Sequence, residues 1–217
     1  MKAAIFDWDG TLVDTFSVAN RVFKQVLGDD FTEEDLKAGF GSGVEGVIRL
    51  FLDKKGALYD EEKVRELTEK KVKIQEKRTP EIRVLDGVFE LLKFLKEKGY
   101  RIAISSSNYM AAIMPMLKEH GLQEYFDVIV TTDNAKVKRL KPYPDAFLIT
   151  AEELNLPPGE CVVFEDSPHG IKAAKEAGMQ IVGVCTGPFN KEEVLDEKPD
   201  LVVDSLNQIA EIKEFLD

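Results

Sequence analysis

The sequence is poor in cysteine and histidine, with two of each in 217 residues. Two cysteines are too few for a disulfide framework. Cys161 and Cys185 lie at the ends of the apolar runs CVVF and IVGVC, where a reduced thiol behaves as a small hydrophobe. No apolar run approaches the roughly 20 residues that a membrane-spanning helix needs. Met1 to Asp7 is a short strand-like segment without the three-part pattern of a signal peptide, so the expected location is cytoplasmic. Excess positive charge is also missing, since 29 Lys and Arg stand against 40 Asp and Glu for a net charge of −11. That balance repels nucleic acid and anionic membrane surfaces, and neither is an expected partner. Any anionic ligand has to be held by local cations or a metal. Internal repeats and low-complexity tracts are absent too.

What is present is a chain that is 44% hydrophobic, enough for one sizeable domain or for a core carrying a smaller insertion. Short β-branched runs recur with helical stretches between them: AAIF at 3–6, RIAIS at 101–105, DVIVT at 127–131, CVVFE at 161–165, QIVGV at 180–184 and DLVV at 200–203. Alternation of this kind predicts parallel strands with helical crossovers. The runs are continuously apolar, as in strands covered on both faces. The expected fold is therefore α/β, a doubly wound, Rossmann-like parallel sheet. Gly99 and Gly121 read as helix C-terminal caps, and Pro157-Pro158-Gly159 as the stop of a helix that begins near Asp145.

More than 85 residues separate the first run from the second, and the stretch from about 15 to 80 reads as several helices without a strand. The expected organisation is an α/β core domain of residues 1–14 and 81–217 with a helical cap domain of residues 15–80. Gly39 to Gly46 (GFGSGVEG) is expected to be a flexible loop between cap helices. Asp60 to Lys77 is so charged that most of its surface is expected to face water.

The chemistry-bearing feature is Asp7-Trp8-Asp9-Gly10-Thr11, directly after the run KAAIF. Ligands of open parallel sheets bind at the carboxyl ends of strands, where two carboxylates one residue apart would project into the site. A solvated turn is the alternative for an Asp-Gly pair. Three further motifs follow at the ends of other predicted strands. With them the chain resembles the haloacid dehalogenase superfamily, in the branch of phosphoglycolate phosphatases and β-phosphoglucomutases. The motifs keep that family's order: DWDGTLVDT at 7–15, SSSN at 105–108, KPYPD at 141–145 and EDSPHGIKAAKEAGM at 165–179.

The resemblance implies a Mg2+-dependent phosphatase that hydrolyses a small phosphomonoester through an aspartyl-phosphate. Asp7 would be the nucleophile and Asp9 the general acid and base. Family members that cleave carbon–halogen or carbon–phosphorus bonds lack the second carboxylate, and the presence of Asp9 argues against both chemistries. Asp7, Asp9, Glu165 and Asp166 crowd negative charge around an anionic substrate, which calls for a divalent cation. These donors are all oxygens, a set that suits Mg2+ better than zinc. By family pattern Asp7 and Asp166 would give carboxylates and Asp9 its backbone carbonyl, with Glu165 either a direct or an outer partner. Lys141 matches the family lysine that offsets the charge on Asp7 and the phosphoryl group. Ser106 matches the phosphate-binding hydroxyl, with Ser107 and Asn108 as further donors at a helix start. The expected partner is a small-molecule phosphate ester, and the expected state a monomer or weak homodimer.

The alternative within the family is a phosphomutase of the β-phosphoglucomutase type. Such mutases carry a histidine in the first cap helix, whereas this chain has Val18, Ala19 and Asn20 there, and Thr11 follows the DxDG motif as in the phosphatases. His120 reads as a last-turn residue favoured by the helix dipole. His169 stands at a position that the family leaves variable. Lys136, Lys138 and Arg139 read as a wet charged loop, and Trp8 as packing beneath the cap. Substrate choice is expected to rest on Thr15, Phe16, Asn20 and the loop from Phe40 to Val44, closing over the leaving group.

Overall fold

The structure, a computed structural model, describes residues 2–217. Among the described residues eight strands follow one another: β1 (Ala3–Phe6), β2 (Val13–Asp14), β3 (Arg83–Val84), β4 (Arg101–Ser105), β5 (Val128–Val130), β6 (Cys161–Glu165), β7 (Gln180–Val184) and β8 (Leu201–Val203). Six of them form one parallel sheet in the order β5-β4-β1-β6-β7-β8. Every β1 residue is buried, and the alternating side chains of a strand divide between two apolar layers. Ala4 and Phe6 enter one layer with Leu92, Ile104 and Val182, while Ala3 and Ile5 enter the other with Phe147, Val163 and Ile171. The sheet is thus covered on both faces, which is why its strands carry no polar alternation.

The covering helices are α5 (Val88–Glu97), α6 (Met110–Glu119), α7 (Asp145–Glu153), α8 (Pro168–Glu176), α9 (Lys191–Asp196) and α10 (Ile209–Leu216). Gly99 and Gly121 lie just past α5 and α6 in left-handed conformation, as caps do. One stop lies elsewhere than the sequence suggests: α7 ends at Glu153, and Asn155 takes the left-handed turn (φ 57°) before the prolines are reached.

Four helices fill the long interval after β1: α1 (Phe16–Leu27), α2 (Glu33–Gly39), α3 (Gly43–Lys54) and α4 (Glu61–Glu76). They share an apolar cluster that includes Phe23, Phe31, Leu36, Val47, Ile48 and Phe51. The chain leaves and re-enters the core through β2 and β3, an antiparallel ladder pairing Val13 with Val84 and Asp14 with Arg83.

The glycine-rich stretch is more ordered than expected. Gly39 closes α2 and Gly43 opens α3, so only Phe40 to Ser42 connect them, and the Ser42 hydroxyl donates to the Gly39 carbonyl at 2.6 Å. Gly39 is small for a packing reason, because a Cβ there would meet the Val47 backbone at 2.9 Å. On α4 most of the surface faces water as expected, but a stripe of Val64, Leu67, Thr68, Lys71 and Gln75 is buried. Among the described residues no helix is long and apolar enough to cross a membrane.

Candidate active site

β1 lies between β4 and β6, and the three strand ends bring the sequence motifs together. Asp7 follows β1 directly, with its backbone N–H donating to the Phe164 carbonyl at 3.0 Å. Lys141, from the loop before α7, reaches the Asp7 carboxylate at 2.5 Å and Glu165 at 2.6 Å, and it also donates to the Ser105 carbonyl at 3.3 Å. All of these groups are buried. Burial alone would lower the Lys141 ammonium, but the two carboxylates overcome it and hold the group well above its ordinary range.

Asp7, Glu165 and Asp166 each offer a carboxylate oxygen within 4.8 Å of the others. Burial first, and then the charge of Glu165, push Asp7 and Asp166 well above the usual carboxylate range. The three acids differ in how they are engaged. Glu165 gives one oxygen to Lys141 and the other to the Ser167 N–H (3.1 Å) and hydroxyl (2.8 Å). Asp166 accepts from the Thr11 hydroxyl at 2.9 Å through Oδ1, whereas its buried Oδ2 has no hydrogen-bond partner among the described residues. Two glycines make room for that oxygen. A Cβ on Gly187 would lie 1.8 Å from it, and one on Gly10, which also has a φ of +89°, would lie 2.4 Å away. Three buried acids against one lysine, with a carboxylate oxygen left bare, form a set of hard oxygen donors that fits a small divalent cation.

The SSSN motif ends β4 and leads toward α6. Ser106 is buried and its Oγ accepts the Asn108 N–H at 3.1 Å; Asn108 Nδ2 lies 3.2 and 3.4 Å from the two Asp9 oxygens. Asp7, Asp9, Ser107, Asn108 and Glu165 line a cavity of about 530 Å³, counted with its open mouth, whose opposite wall belongs to the helical insert.

That wall corrects part of the sequence reading. Thr15, Phe40, Gly41, Gly43 and Val44 do line the cavity, but Phe16 and Asn20 do not. Phe16 packs edge-on against Phe40 at 5.7 Å, and Asn20 donates to Glu33 at 3.3 Å. Along α1 and its N-terminal flanking residue the helical spacing of four turns Thr15, Ala19 and Phe23 toward the cavity instead. Two further lining residues, Lys71 and Gln75, carry polar groups that the sequence reading missed. Lys71 is 3% exposed, and among the described residues no acceptor lies within hydrogen-bond reach of it. Burial lowers its ammonium to about 8, against a smaller opposing effect of Asp9, and Nζ lies 5.3 Å over the Phe23 ring. Their signal was the continuation of the Val64–Leu67 stripe by helical spacing. The bland readings hold for the remaining candidates. Lys136 pairs with Glu152, Arg139 with Asp145, and both histidines lie outside the cavity lining.

The profile of the family described as haloacid dehalogenase-like hydrolase matches residues 4–184. The chain belongs to this family. Among relatives of this haloacid dehalogenase-like hydrolase, a phosphorylated carbohydrates phosphatase of Thermotoga maritima is 30% identical over 221 residues, covering 96% of this chain and all of the relative. A fructose-1-phosphate phosphatase of Escherichia coli (strain K12) is 34% identical over 188 residues, covering 83% of this chain and 94% of the relative. Of solved structures, a hydrolase from Pseudomonas syringae superposes with a TM-score of 0.90 at 25% identity over the whole of both chains. A β-phosphoglucomutase from Clostridium difficile does so with a TM-score of 0.84 at 30% identity, over 99% of this chain and 96% of that one. The expected superfamily, fold class and hydrolase character are borne out.

Proposed function

We propose that this hydrolase is a Mg2+-dependent phosphatase acting on a small phosphomonoester, with residues 1–14 and 81–217 as its catalytic core and residues 15–80 as a cap over the leaving group. The observation that carries the reading is Asp7, buried and paired with Lys141 at the floor of the cavity, beside an Asp166 oxygen without a partner. Asp7 and Asp166, with the Asp9 carbonyl, would hold Mg2+. Glu165, whose two oxygens are already engaged by Lys141 and Ser167, acts as an outer partner. When bound, Mg2+ supplies positive charge to the phosphoryl oxygens and orients them.

In the first half-reaction an Asp7 oxygen attacks phosphorus, the bond from phosphorus to the ester oxygen breaks, and Asp9 gives its proton to the departing alkoxide. In the second, Asp9 takes a proton from water, whose oxygen attacks the aspartyl-phosphate. The bond from phosphorus to the Asp7 oxygen breaks and inorganic phosphate leaves. Ser106, Ser107 and Asn108 bind the phosphoryl oxygens, and Lys141 offsets the charge that builds on them and on Asp7. Lys71 and Gln75 face the leaving group, which favours one that is anionic or rich in hydroxyls.

Transfer to a second sugar phosphate, as in a mutase, is the alternative chemistry for the same intermediate. Among the described residues no histidine lines the cavity, and the α1 residues that face it are Ala19 and Phe23. Water is therefore the acceptor in this reading. A screen of phosphorylated metabolites for released phosphate tests it, with phosphoglycolate and small sugar phosphates first. Conversion of β-glucose 1-phosphate into glucose 6-phosphate without stoichiometric free phosphate would overturn it in favour of the mutase.

A further inference from the structure

A chain of contacts at the cavity rim joins the helical insert to Asp9. The Asp9 carboxylate accepts from Asn108 Nδ2, Asn108 Oδ1 accepts the Tyr109 N–H at 2.9 Å, and the Tyr109 hydroxyl donates to Glu45 Oε1 at 3.0 Å. The first two contacts fix which way the Asn108 amide faces, because a carboxylate only accepts and a backbone N–H only donates. The Asn108 backbone is held as well, through its N–H to Ser106 and its carbonyl to the Thr132 N–H at 3.0 Å. Tyr109 is the N-terminal flanking residue of α6, yet its ring packs against the apolar cluster of the insert. Glu45 lies in the first turn of α3, with Arg49 3.7 Å away and itself paired with Glu61. Burial and the Glu45 charge hold the Tyr109 phenol well above its ordinary range, so it remains a donor.

We propose that Tyr109 is a positioning residue that makes the orientation of the Asp9 carboxylate depend on docking of the helical insert. With its phenol held by Glu45, the start of α6 is fixed. The Tyr109 N–H then orients the Asn108 amide, and the amide orients Asp9. This rests on the reading of Asp9 as general acid and base. The consequence is specific to the first half-reaction, which kcat/KM reports: misalignment of Asp9 hurts esters whose leaving group needs a proton and spares those that depart as stable anions, while hydrolysis of the shared aspartyl-phosphate slows alike for both.

The test compares p-nitrophenyl phosphate with an alkyl ester, β-glycerophosphate, in the Mg2+-supplied enzyme. General acid catalysis contributes about 100- to 10,000-fold, so partial misalignment corresponds to about tenfold. Tyr109→Phe should lower kcat/KM for the alkyl ester about tenfold and leave kcat/KM for the aryl ester within about threefold. Asp9→Asn should show the same discrimination more strongly. Glu45→Ala should match Tyr109→Phe, the double variant should be no worse than either single one, and Glu45→Gln, which keeps an acceptor, should retain most of the activity. The Glu45 side chain is 43% exposed, so its variants probe the contact even where Tyr109→Phe folds poorly. Equal losses of kcat/KM on both esters, or none, in the Tyr109 and Glu45 variants while Asp9→Asn discriminates would overturn the inference alone. An Asp9→Asn variant that treats both esters alike would overturn the reading of Asp9 and the inference with it.

Discussion

Replacing Lys71 with methionine should make the protein more stable and less active. Burial lowers the Lys71 ammonium from its ordinary 10.5 to about 8, and the charge of Asp9 opposes this only in part. A basic group that is less basic in the folded than in the unfolded state costs stability wherever both states are charged. For Lys71 the full cost applies below about pH 8 and fades as pH rises from 8 toward 10.5. At about 1.4 kcal/mol per pH unit, it amounts to about 3 kcal/mol at pH 7. Methionine keeps an unbranched apolar chain against Phe23 and removes the charge, so most of that should be recovered. For a chain of this size 1 kcal/mol moves Tm by about 2–4 °C, which gives an expected rise of about 6–12 °C. Thermal melts of both proteins in chelator and without phosphate, at pH 7 and pH 10, supply the measurement, and the gap should narrow at the higher pH. On a substrate found in the metabolite screen, Lys71→Met should lower kcat/KM by about tenfold or more, the exchange of stability for function expected where a buried charge awaits a ligand. An equal or lower Tm at pH 7 would refute the reasoning, since the ammonium would then already be compensated by its neighbours.

Three further outcomes follow from the site. Asp7→Asn should reduce turnover of an aryl phosphate to background, and a chelator should do the same until Mg2+ is restored; substantial activity surviving either treatment would remove the mechanism. Lys141→Met leaves Asp7 and Glu165 buried without their shared cation and should lower stability by about 3–5 kcal/mol, read as a fall in the urea midpoint. A midpoint equal to that of the parent would mean that the acids shed their charge at little cost. Gly187→Ala puts a methyl group 1.8 Å from the present position of Asp166 Oδ2 and must displace it. The Mg2+ concentration for half-maximal activity should rise by about tenfold or more while the melt stays cooperative, and an unchanged Mg2+ requirement would exclude Asp166 as a ligand.

The parts of the fold that were legible in the sequence are those where one physical constraint acts over several residues. β1, β4, β6 and β7 are buried on both faces, so each contains a run of three or four apolar residues that nothing else explains as economically. The β2–β3 ladder has two residues per strand and therefore no period to read. The glycine stretch misled because glycine serves two ends. Gly41 and Gly43 adopt positive φ, whereas Gly39 is small only so that α2 can approach Val47. On α4 the overall charge hid the inward pair, yet Val64, Leu67, Thr68, Lys71 and Gln75 keep helical spacing throughout. The same rule separates Ala19 from Asn20 on α1, because four residues from Thr15 leads to Ala19. Motif residues cluster as the sequence suggested, while Glu165's two engagements and the bare Asp166 oxygen depend on neighbours distant in the chain.

A protein with a net charge of −11 must still hold a phosphate ester, and its two buried lysines indicate how. Lys141 lies between Asp7 and Glu165 and is held charged by them, so its positive charge is largely spent within the site. It lets the acids stand together but cannot by itself attract a dianion past them. In the proposed reading that task falls to a divalent cation beside Asp7 and Asp166, which would tie phosphate binding to Mg2+. Lys71 is the opposite case: it faces the cavity from the insert without a hydrogen-bond acceptor among the described residues, and burial weakens its hold on the proton. A ligand that brings a negative charge or a set of hydroxyls to that wall relieves the cost. In the proposed reading the transferring phosphoryl group belongs with the acids beside Lys141, and the leaving group with Lys71, whose charge Asp9 offsets only in part. This division would set the direction in which the substrate enters, phosphate first toward Asp7 and the remainder beneath α1 and α4.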